Sequence, residues 1–91
     1  VVPVATHQVA PVYPVDLKRS GVAGRATIAF VVDAKGNVRN IRTVDSSDMR
    51  FEAAAIAAVS QWKFEPGRHG GEAVATQMEV PINFHLQGSR F

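Results

Sequence analysis

Val74-Ala75-Thr76-Gln77-Met78-Glu79-Val80-Pro81-Ile82-Asn83-Phe84-His85-Leu86 decides the fold. Its even positions are Val74, Thr76, Met78, Val80, Ile82, Phe84 and Leu86, and its odd ones are Ala75, Gln77, Glu79, Pro81, Asn83 and His85. A period of two held this long specifies an extended strand with one buried and one wet face. Pro81 has no N–H for a ladder, so the strand is expected to border an open side of its sheet, or to bulge there. A long edge strand is a liability unless something is meant to pair with it.

Working back from this strand, Gly67 to Glu72 reads as a mobile, polar loop, and Pro66-Gly67 as the stop of a helix. Ser46-Ser47-Asp48 offers N-caps for that helix. Phe51, Ala55, Val59 and Trp62 recur at helical spacing with Ala54 and Ala58 beside them, which predicts three to four amphipathic turns. Further back, Ala26, Ile28, Phe30 and Val32 alternate in a strand from Gly24 to Asp33. Asp33-Ala34-Lys35-Gly36-Asn37 is a hairpin turn, and a second strand follows from about Val38 to Val44. Ile41 and Thr43 share one parity there while Val38 and Val44 fall on the other, so a bulge or slip is expected. Pro14 suits the first position of a short helix running to Ser20, stopped by Gly21. Residues 1–10 read as an extended lead-in or linker end, and residues 11–91 as one domain. The order is helix, strand, strand, helix, strand. This is an α+β, two-layer domain with a three-stranded antiparallel sheet carrying helices on one face.

The totals narrow the function. Ninety-one residues with 46% hydrophobic content make one small folded domain. Ten basic against eight acidic residues, a net +2, are scattered and form no nucleic-acid or anionic-membrane patch. Aromatics fall on the buried parity, against a sheet face for RNA. Cysteine is absent, excluding disulfides and thiolate metal sites. No apolar run approaches about 18 residues. The chain starts at Val1 without a signal-peptide layout, so it is expected to be a piece of a longer protein whose membrane anchor lies elsewhere. His7, His69 and His85 lack ligand spacing, and no metal or cofactor is expected. Gly67-Arg68-His69-Gly70-Gly71 follows a helix instead of opening one, unlike a phosphate loop. No carboxylate pair or nucleophile–base set suggests an enzyme.

The landmarks form a series. Tyr13-Pro14, Gly21-Val22-x-Gly24 and Phe30-Val31-Val32-Asp33-x-x-Gly36-x-Val38 are followed by Phe51-Glu52-x-Ala54-Ala55. Trp62-Lys63-Phe64-x-Pro66-Gly67 and Val80-Pro81-Ile82-x-Phe84-x-Leu86 complete it. Over roughly Pro11 to Leu86 the chain resembles the C-terminal domain of the TonB family of periplasmic energy transducers. The resemblance implies a periplasmic domain of an inner-membrane-anchored protein, driven by a motor of ExbB and ExbD type through a preceding part of the chain. Its partner would be the TonB box of an outer-membrane active transporter taking up substrates such as iron complexes, siderophores or heme. The implied mechanism is strand addition beside the last strand. It places Val74, Ala75, Thr76, Gln77, Met78, Glu79 and Val80 on the docking edge, with Pro11, Val12, Tyr13 and Pro14 near the docked segment. Some members carry a basic residue two places after Tyr-Pro, where this chain has Asp16, so a charge contact is lost or reversed. The alternative is a TolA-like or sensor-fused envelope domain using the same edge for another protein. A monomer or weak homodimer is expected.

Overall fold

The computed structural model describes residues 1–86. Residues 87–91, included in the domain by the reading above, lie outside the described residues. The elements are β1 (Val4–His7), α1 (Val15–Arg19), β2 (Gly24–Val32), β3 (Val38–Ser46), a 3-10 turn (Met49–Phe51), α2 (Glu52–Val59), β4 (Lys63–Glu65), β5 (Gly67–His69), β6 (Glu72–Val74) and β7 (Thr76–Phe84). The main sheet is antiparallel in the order β3-β2-β7. It is an α+β fold with the expected landmarks in the expected order.

β2 is the central strand, paired with β3 on one side and β7 on the other. Ala26, Ile28, Phe30 and Val32 are buried on one face, where Leu17 of α1 and Ala55 and Val59 of α2 meet them. Each large side chain so buried contributes about 1.5–3 kcal/mol. Alanines at 55 and 58 give α2 a thin buried face, which lets the helix lie close on the sheet.

The expected irregularity falls in β3. Thr27 and Ile28 pair with Asp45 and Thr43, and Ala29 and Val31 with Arg42 and Arg39, so β3 carries one extra residue at each place. Asn40 takes a φ of 53° at the second bulge. The inserted residue lets Val38 and Ile41, three apart, both pack against the core.

Three local readings are corrected. The helix expected to run through Trp62 ends at Val59, and Lys63–Glu65 is a strand. The reason lies far away in sequence: β4 pairs with β1, and the Trp62 indole N–H donates to the Val9 carbonyl at 3.0 Å. Trp62 and Phe64 are buried while Lys63 and Glu65 are exposed, a period of two rather than 3.6. Within the expected lead-in, residues 4–7 are this ladder's other strand, and Val1 exchanges backbone bonds with Arg68 at 3.1 and 3.0 Å. The expected polar loop is a hairpin, with Gly67, Arg68 and His69 opposite Val74, Ala73 and Glu72.

Asp48 begins the 3-10 turn by accepting from the Arg50 N–H at 2.9 Å. The Arg50 guanidinium, bonded to the same carboxylate, and then that backbone N–H lower its pKa to about 2. Asp33 in the hairpin turn is lowered too, first by Arg39 and then by the Asn37 N–H. A carboxyl whose pKa is lowered by folding adds stability above its unfolded value of 3.8, and that contribution disappears as pH falls toward about 2. The melting temperature is therefore expected to drop over this window, and less steeply in Asp48→Asn. Identical pH slopes in the two proteins would refute the assignment.

Candidate functional site: the free edge of the last strand

β7 lies at one side of the sheet, paired only with β2 in a nine-residue register without a shift, from Gly24↔Phe84 to Val32↔Thr76. Pro81 stands opposite Thr27. Antiparallel pairs alternate between exchanging both hydrogen bonds and exchanging none. Pro81 has no donor, so its pair is of the second kind, and by alternation so are those of Gln77, Glu79 and Asn83. Their backbone groups point away from β2. Among the described residues no strand pairs with that side of β7.

The opposite side of the sheet is different. β3 carries both bulges, bends at Asn40 and lines its length with Arg39, Arg42 and Asp45. Bulges and charges are what blunt an edge against strand pairing. One regular edge and one blunted edge remain.

The candidate residues are not all brought together. Thr76, Gln77, Met78, Glu79 and Val80 lie on β7, with Thr76, Met78 and Val80 half-buried on the helix side and Gln77 and Glu79 exposed on the other. Val74 belongs to β6 and is paired with Gly67, and Ala75 is the connector. Pro11, Val12, Tyr13 and Pro14 precede α1. Tyr13 donates its hydroxyl to the Val22 carbonyl. Its ring packs edge-on against Phe51 and Phe84 at centroid distances of 5.9 and 5.6 Å. The segment thus meets β7 at Phe84, four residues beyond Val80 and roughly 13 Å along the strand. Tyr13 pins the helix entry to the core, while Val12 is 79% exposed. β1 is paired with β4, and among the described residues no strand of the lead-in pairs with β7. Asn83, past the proline, joins the outward set; the parity of the strand already contained it.

Together these features define an α+β domain whose distinguishing surface is one uncovered strand edge. Residues 9–86 match the family model for the Gram-negative bacterial TonB protein C-terminal. Protein TonB of Xanthomonas campestris pv. campestris (strain B100) is 39% identical over 77 residues, covering 84% of this chain and 34% of the relative. Protein TonB of Vibrio cholerae serotype O1 is 34% identical over 82 residues, covering 89% and 34%. The solution NMR structure of the Pseudomonas aeruginosa TonB CTD superposes with a TM-score of 0.78 at 27% identity, covering 93% of this chain and 87% of that one. The TonB2 protein of Vibrio anguillarum gives 0.60 at 30% identity, covering 87% and 78%. The chain spans about a third of the length of the relatives from Xanthomonas and Vibrio cholerae. It belongs to the TonB C-terminal family.

Proposed function

We propose that this domain captures the TonB box of an outer-membrane active transporter as an added strand on β7. In this reading it works in the periplasm and passes on energy that an ExbB/ExbD-type motor draws from the proton gradient, for uptake of cargo such as iron complexes. The observation that carries the reading is the asymmetry of the sheet: a regular, unpaired β7 edge against a twice-bulged β3 edge. Strand addition needs a row of free backbone donors and acceptors on a stiff support. Gln77, Glu79 and Asn83 supply the row, interrupted at Pro81, and the ladder to β2 supplies the stiffness. Backbone pairing reads little sequence, so one domain of this kind serves several transporters.

Amide shift titration with synthetic TonB-box peptides tests the reading. Perturbations are expected along 76–80, absent with a scrambled peptide. Gln77→Pro removes an outward N–H that β2 does not use, so the domain stays folded while affinity drops about tenfold, one to two hydrogen bonds' worth. Unchanged binding by that variant, or shifts gathered on β3, would show that β7 is not the docking edge. No response from a folded protein at millimolar peptide would reject TonB-box capture.

A further inference from the structure

Along Thr76–Phe84 the side chains are Thr, Gln, Met, Glu, Val, Pro, Ile, Asn and Phe, so Glu79 is the single charge on β7. It stands on the sheet face away from the helices, opposite Ala29, with Arg42 on the far side of Ala29. The other charges of this face are satisfied: Arg25 binds Asp45 and Arg39 binds Asp33, each at 2.9 Å. Glu79 and Arg42 form no ion pair among the described residues, and a trough of about 210 Å³ floored by Ala29 lies between them.

We propose that Glu79 selects a lysine or arginine on the captured strand, at the position lateral to it on the open face. The inference rests on strand capture at β7 and adds the chemistry of the captured segment. That segment alternates, with apolar side chains beside the half-buried Met78 and Val80 and a cation beside Glu79.

Distance decides the sign. A side chain on an added strand sits about 5 Å from Glu79, Cβ to Cβ. Arg42 is two strand spacings farther, on the order of 15 Å from the guest, which exceeds a Debye length of about 8–10 Å at ordinary salt. The guest therefore feels the carboxylate and little of the arginine. An acidic guest side chain reaching for Arg42 has first to pass Glu79.

The test uses three peptides, Ser-Val-X-Val-Ser-Val with blocked ends and X as Lys, Gln or Glu, titrated against the whole domain by amide shifts. The wild type is expected to bind the Lys peptide about threefold more tightly than the Gln peptide, with the Glu peptide weakest. In Glu79→Lys the order inverts, and molar salt flattens it in both proteins. Because Glu79 is the lone charge on the strand, the inversion reports this residue whichever register a peptide takes. Binding of all three peptides with equal affinity, or an order that survives Glu79→Lys, overturns the selection and leaves strand capture standing. Failure of every peptide to bind overturns both.

Discussion

Phe51→Ala is expected to lower the free energy of unfolding by about 3–5 kcal/mol, the range for removing a fully buried phenylalanine that leaves a cavity behind. Phe51 is 0% exposed and closes the 3-10 turn before α2. Its ring stacks on Phe84 of β7 at 4.5 Å and receives the edge of Tyr13 at 5.9 Å. Three parts of the chain (the helix entry, the turn and the end of β7) meet on this one ring. Such aromatic pairs add about 0.5–1.5 kcal/mol each beyond burial. Gly24 packs directly on the ring, where a Cβ would lie 2.6 Å from Phe51, and glycine has no side chain to move into the void. A domain of this size has roughly 5–15 kcal/mol in all, so the loss is a large share of it. Urea unfolding followed by the fluorescence of Trp62, the single tryptophan, measures it. A loss below about 1 kcal/mol would mean that the three segments do not depend on the ring.

Gly36→Ala is expected to cost about 3 kcal/mol or more, and Gly70→Ala about 1–2 kcal/mol. Both glycines have positive φ, 84° and 58°, so both substitutions incur the penalty of a left-handed L residue. They differ in their surroundings. A Cβ on Gly70 meets nothing within 4 Å, whereas one on Gly36 is driven into the backbone carbonyl of Phe64. A carbonyl in a ladder cannot swing aside as a flexible side chain does. Gly36 also accepts from the Phe64 N–H at 3.0 Å, and with the Lys63 ammonium donating to Asn37 Oδ1 at 3.0 Å this ties the β2–β3 turn to β4. Separation of the two parts must therefore expose β4, and with it β1. Hydrogen exchange at Ala5 and Phe64 is expected to accelerate in Gly36→Ala more than exchange at Ile28. Equal stability losses for the two alanine variants would show that the contact with β4 is not what makes Gly36 a glycine.

What could be read from the residues divides by the range of the interaction. β2, β3 and β7 were legible because burial of one face writes a period of two, and Pro81 announced an edge. The β3 bulges were legible from the conflicting parities of Val38 and Ile41. The end of α2 was not, since Trp62 fits the helical period of Phe51, Ala55 and Val59 as well as it fits an extended strand. Only its partners decide, and Val9 and the β1 ladder lie more than fifty residues away. A competing signal was present in Trp62-Lys63-Phe64-Glu65, which alternates. β1 itself carries almost no pattern, for of its four residues only Ala5 is even half-buried. Of the candidate site, the position of β7 at a sheet edge followed from one proline. The capture of Val74 by Gly67 did not, because hairpin pairing of two three-residue strands leaves no periodic trace.

The unequal edges of the sheet have a stoichiometric consequence. A sheet with two pairable edges has a valence of two, and its copies can polymerise without limit. With β3 spoiled by its bulges, the three-stranded sheet keeps one regular edge, and in the strand-capture reading its valence is one. Any strand that docks, whether from another protein or from a second copy, ends the series. Two copies meeting edge to edge would close on themselves by a twofold axis and stop there. They would also exclude every other strand while they lasted, so self-association and ligand capture are competitors for one seat.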